Sequence, residues 1–176
     1  MSYQANSDGL CLAHLAGDID VAVAALGAAR CAESLPAEFR DPLRAAQRDL
    51  HEIGSALAEG MTPQLDESRI DRLDRARREY SSQPPPDGFA VLGGTVDSVG
   101  LLQLARALVR RAAHPVRALT QQRQTLDPVL RYLDQLDRLL VVFAYETELQ
   151  NEAMLLAMSG TCGSALPETG SDSRAH

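Results

Sequence analysis

Apolar positions recur along this chain at helical spacing, and no period-two alternation competes with them. From Asp18 the run VAVAALGAAR continues to about Cys31, where Leu35 and Pro36 interrupt it. A second helix is predicted over residues 37–59, with Leu43, Leu50, Ile53 and Leu57 on one face and Gly60 and Pro63 beyond its end. A third, over 66–79, opens with acidic residues suited to the positive end of the helix dipole and carries Ile70, Leu73 and Ala76 as its apolar edge. SSQPPPDG then forces a loop, because consecutive prolines remove donors and fix extended backbone. The next helix is predicted over 95–113, with Pro115 kinking or ending it before a short continuation to Gln124. The last begins near Asp127, with Pro128 in its first turn, and runs to about Met158. Residues 1–17 show no sustained period and read as an irregular segment, and the polar, Gly-rich residues 159–176 read as a disordered tail. The expected fold class is therefore all-α, a five-helix antiparallel bundle over residues 18–158.

Composition narrows the chemistry. In 176 residues, 45% are hydrophobic and only 4% aromatic, so the core must be built from Ala, Leu and Val in closely approaching helices. The net charge of −7 argues against a surface made for nucleic-acid backbone or anionic membrane. All 17 basic residues are Arg, which excludes a Schiff-base lysine and a P-loop. The three cysteines are widely spaced, and the N-terminus has neither the basic start nor the apolar run of a signal peptide, so the expected compartment is the cytoplasm. The apolar run over residues 139–144 is too short to cross a bilayer.

Generic catalytic signatures are absent. His51 opens HEIGS, with Ser55 where a zinc-binding helix needs its second His, and no metal site is expected. One combination is more specific: GDIDVAVAALGAAR at 17–30, QRDLHEIGSALA at 47–58, and FAVLGG ahead of LLQLARALVRRA at 101–112. In order and spacing these segments resemble the PduO-type ATP:cob(I)alamin adenosyltransferases, over about residues 17–144. The ARxxxRRA core is the most informative piece.

The resemblance implies a five-helix bundle assembled as a homotrimer, with ATP, magnesium and cobalamin bound at subunit interfaces. In that family the cobalt(I) of the corrinoid attacks the 5′ carbon of ATP and expels triphosphate, so the protein positions reactants and stabilises the leaving charge. By resemblance, Arg110 and Arg111 match positions that bind ATP phosphates, while Asp20 and Arg106 match a pair that bridges subunits. Arg106 and Arg110 are four residues apart and share a helix face, and Arg111 points about 100° further round. No catalytic residue is assigned.

Departures from the family pattern concentrate at the substrates. The phosphate-wrapping N-terminal loop TRTGDxGxT is replaced by QANSDGLCL, and residues 1–17 contain no Arg. In the family motif YxNRLSDxLF, Asp134, Gln135, Asp137 and Arg138 stand at the Asn, Arg, Ser and Asp positions, and Val141 replaces the Phe. Three functions follow: a diverged relative with reduced or no transfer activity that keeps nucleotide or corrinoid binding, an active adenosyltransferase, and a non-catalytic helical module. Loss of the phosphate loop favours the first, since one preorganised donor is worth about 3 kcal/mol in a transition state.

Overall fold

A computed structural model describes the backbone of residues 2–86, 89, 95–120 and 123–161, and the side chains of residues 11–86, 89, 95–120 and 123–159. Among the described residues the chain forms five long α-helices and no strand: α1 (Ser2–Cys31), α2 (Arg40–Ala58), α3 (Glu67–Tyr80), α4 (Asp97–Thr120) and α5 (Asp127–Thr161). Single 3₁₀ turns, Ala37–Phe39 and Gln124–Leu126, lead into α2 and α5. Successive helices run up and down. Contacts between Glu67 and Arg131 at one end of α3, and between Ser82 and Glu146 beyond the other, make α3 and α5 parallel neighbours.

The first helix starts earlier than the apolar period predicts. α1 begins at Ser2, so the segment expected to be irregular is helical up to Asp18. Leu12, Leu15, Ile19, Ala22 and Leu26 form one buried stripe at alternating steps of three and four. Small and polar residues between them dilute that stripe in the sequence, and tertiary burial restores it. Cys11–Cys31 has the length and apolar character of a membrane span, yet Leu15, Ile19 and Leu26 are spent on the bundle core. The end of α1 and the turn after it are held by Arg40, which donates to Arg30 O at 2.6 Å, Ala32 O at 3.1 Å and Leu35 O at 3.3 Å. A cation there satisfies acceptors that a helix end leaves open.

The remaining boundaries follow local chemistry. Asp66 caps α3 by accepting from Ser68 N at 3.2 Å. Pro115 lies inside α4, which continues to Thr120 and does not end there. Val116, fully buried, is held in the core beside it, so packing carries the helix through the proline. α5 extends to Thr161, three residues past the expected end; the rest of the polar tail lies outside the described residues.

The core joins Leu43, Leu50, Ile53 and Leu57 of α2 to Leu102, Val109 and Val116 of α4 and Leu133, Leu136 and Leu140 of α5. Three of its aromatic side chains form a knot: Phe143 stacks on Phe39 with centroids 4.2 Å apart and meets Tyr80 edge-on at 5.7 Å. α1 and α2 approach closely at Gly54, where an added Cβ would lie 3.2 Å from Ile19 Cγ2.

Candidate functional site

Residues 106, 110, 113 and 117 are spaced four, three and four along α4, which aligns them in one stripe facing α5. Across from it, Asp134, Asp137 and Arg138 project from α5. Between the helices lies a cleft of about 400 Å³ whose floor includes the buried Ala113 and Leu133 and whose walls are Arg106, Arg110, His114, Arg117, Asp134, Asp137 and Arg138. Four guanidiniums in one cleft suit an anionic ligand with several oxygens.

Two of those cations are already engaged within the chain. Arg106 Nε lies 3.1 Å from Asp137 Oδ1, and the side chains are 14% and 23% exposed. Arg117 Nη2 donates to Asp134 Oδ1 at 2.8 Å, with both side chains about half exposed. Burial pushes the Asp137 carboxyl above its ordinary range against the opposing pull of Arg106 and Arg110, and Asp134 adds to the rise. Arg110 and Arg138 form no ion pair within 4 Å among the described residues.

The other positions singled out in the sequence separate around this cleft. Arg111 stands on the flank of α4 that meets α1, where its Nε donates to Asp18 Oδ1 at 3.0 Å. That hydrogen bond raises the Arg111 pKa further and keeps its guanidinium charged. Arg111 also borders a shallower depression with Ala107, Arg110 and His114. Asp20 is exposed on α1 and forms no ion pair among the described residues. His51 is an exposed residue of α2.

Two further clusters went unnoticed in the sequence. Asp49, 5% exposed on α2, accepts from Arg69 at 3.0 Å, Arg72 at 2.5 Å and the Tyr132 hydroxyl at 2.9 Å, joining α2, α3 and α5. Burial, with the Asp49 charge second, raises the Tyr132 pKa and keeps the phenol a donor. At the opposite end, buried Glu146 accepts from Ser82 N at 2.7 Å and from its hydroxyl at 2.7 Å, holding the chain after α3 onto α5. The alternation of acidic and apolar residues late in α5 was the available signal for Glu146, and Asp49 had none beyond its place on the apolar edge of α2.

Among the described residues the protein is an up-and-down bundle of five long helices with an arginine-striped cleft between its last two, a helical protein with a candidate anion site. Its fold matches that of a variant PduO-type ATP:corrinoid adenosyltransferase from Lactobacillus reuteri, solved in complex with cobalamin and ATP, with a TM-score of 0.67 and 21% identity over 78% of this chain and 80% of that one. Corrinoid adenosyltransferases of Mycobacterium bovis and Mycobacterium tuberculosis are each 31% identical over 153 residues, covering 82% of this chain and 78% of theirs. The family model for cobalamin adenosyltransferase matches residues 10–147, and the chain belongs to that family.

Proposed function

We propose that this chain is a diverged cobalamin adenosyltransferase that retains binding of a nucleotide or corrinoid and transfers the adenosyl group slowly or not at all. The observation that carries this reading is the engagement of Arg106 and Arg117 by Asp137 and Asp134 inside the α4–α5 cleft. The family pattern has neutral Ser and Asn at those carboxylate positions. Departure of triphosphate develops negative charge that must meet fixed donors and magnesium, and two of the four guanidiniums here face carboxylates instead. The N-terminal segment adds no cation to offset them.

Arg110 is the residue assigned to the ligand phosphates, with Arg111 as a second contact that must first leave Asp18. ATP, magnesium and cobalamin are the ligands that resemblance supplies, and the Lactobacillus reuteri neighbour was solved with ATP and cobalamin. We assign Asp20 to the interface of a homotrimer; Arg106, which the resemblance pairs with it across subunits, lies 3.1 Å from Asp137 of its own chain and would reach Asp20 of a neighbour only by sharing its guanidinium with that carboxylate. Val21 and Leu104, 45% and 51% exposed on the adjoining helices α1 and α4, give that interface apolar surface. The free thiols Cys11 and Cys31 fit a cytoplasmic setting.

An active adenosyltransferase is the second reading, favoured by the curated mycobacterial relatives. An anaerobic assay with cob(I)alamin, ATP and magnesium, run beside an established family member, separates the two. We expect little or no adenosylcobalamin. Turnover comparable to the reference enzyme, lost in Arg110→Ala, overturns the diverged reading in favour of the active one.

A further inference from the structure

The charge balance of the α4–α5 cleft carries an inference that rests on the reading of this cleft as the phosphate site. Four guanidiniums and two carboxylates line it, which leaves a net of two positive charges with His114 neutral. The carboxylates are tethered to α5, so a ligand oxygen competes with an intramolecular acceptor at high effective concentration. The two pairs resist that competition unequally. Arg117 and Asp134 are about half exposed, and solvent-screened pairs of this kind open at small cost. Arg106 and Asp137 are mostly buried, where parting the pair leaves a charge without its partner.

We propose that Asp134 and Asp137 are specificity determinants that fit the cleft to a dianionic phosphoryl ligand and discriminate against free triphosphate. Arg110 and Arg138 supply the two uncommitted charges and Arg117 is recruited by a small rearrangement, while Arg106 stays with Asp137. A single phosphate group matches that field. A metal-free triphosphate brings four or more negative charges, and its excess faces the two carboxylates at short range. Magnesium lowers the net charge of a triphosphate towards that of a dianion, so the cleft is expected to accept triphosphate only in its magnesium form.

Calorimetric titration of the full chain with inorganic phosphate and with tripolyphosphate, each with chelator and then with magnesium, tests this. Without metal, the unmutated protein should bind tripolyphosphate no more than about threefold more tightly than phosphate. The double variant Asp134→Asn with Asp137→Ser should gain about tenfold or more for tripolyphosphate and less than about threefold for phosphate, because it removes both carboxylates that repel the excess charge of the longer anion and frees Arg106, which the single phosphate does not recruit. Magnesium should strengthen tripolyphosphate binding to the unmutated protein and weaken or leave unchanged binding to the double variant.

A preference of the unmutated protein for free tripolyphosphate of about tenfold or more, unchanged in the double variant, overturns the proposal. If the double variant fails to fold, Asp134→Asn alone, at a half-exposed position, should still gain about threefold for tripolyphosphate, and no gain overturns the proposal. Arg110→Ala separates the two levels of inference. Anion binding that survives this change, or is absent from the unmutated protein, removes the phosphate site itself and with it the retained-nucleotide reading. Binding that Arg110→Ala abolishes, together with a strong triphosphate preference, defeats only the specificity assignment.

Discussion

Replacing Asp49 with Ala removes an acceptor on which three helices converge. Its carboxylate holds Arg69 at 3.0 Å and Arg72 at 2.5 Å on α3, and Tyr132 at 2.9 Å on α5. The costs differ by exposure. Tyr132 is fully buried, so its hydroxyl would lose its partner away from water, a penalty of about 1–3 kcal/mol. Arg69 and Arg72 are 29% and 48% exposed and can turn to solvent, so each contributes about 0.5 kcal/mol, well short of the cost of stranding a fully buried charge. The expected loss is therefore about 2–4 kcal/mol, dominated by the phenol. Urea unfolding of Asp49→Ala, Tyr132→Phe and the double variant measures it, and the cycle should return a coupling of about 1 kcal/mol between the two positions. A loss below about 0.5 kcal/mol in Asp49→Ala, or additive single variants, would refute the assignment of Asp49 as the hub.

Three other outcomes test separate parts of the structure. Gly54→Val should destabilise the fold by about 1–3 kcal/mol, because the added side chain meets Ile19 Cγ2 already 3.2 Å from an ideal Cβ; an unchanged melting temperature counts against the close α1–α2 contact. Asp20→Arg should convert a trimer to smaller species in light scattering, whereas a stable monomer before mutation would sink the trimer assignment. Asp137 has a raised folded-state pKa, so the stability it contributes is present below the ordinary value of 3.8 and lost as pH rises through the raised value. Relative to Asp137→Asn, the unmutated protein should accordingly lose stability across that window in pH-dependent thermal unfolding, and a relative gain would contradict the burial argument.

Much of the fold was legible because helical periodicity is written in the residues that make the core. Leu43, Leu50, Ile53 and Leu57 are all buried at the positions their spacing assigns, and the proline-rich stretch after Tyr80 does follow the end of α3. The start of α1 was not legible, since Leu12 and Leu15 are separated from the next strong apolar residues by Gly17 and Asp18, and only contact with α2 and α4 shows that they extend the stripe. Pro115 left two outcomes open, a kink or an end, and the helix runs on to Thr120. Local chemistry argues for a break, but the buried neighbours Ala113 and Val116 hold the helix on course.

The candidate site was legible in its parts and not in its pairing. Sequence spacing alone puts Arg106, Arg110 and Arg117 on one face of α4, and Asp134 and Asp137 on one face of α5. Which carboxylate meets which guanidinium depends on the register between two antiparallel helices, and that register is set by core contacts such as those around Val109 and Leu136. The same dependence explains why Arg110 and Arg111, adjacent in sequence, have different surroundings: about 100° of helical turn carries one to the α5 cleft and the other to Asp18 on α1. Resemblance to a family transfers positions, but charge at a site is a sum over whatever the fold brings near. Here two of the arginines on the α4 face stand opposite carboxylates of α5, so the field that a ligand would meet depends on pairs that the spacing of the arginines alone does not show.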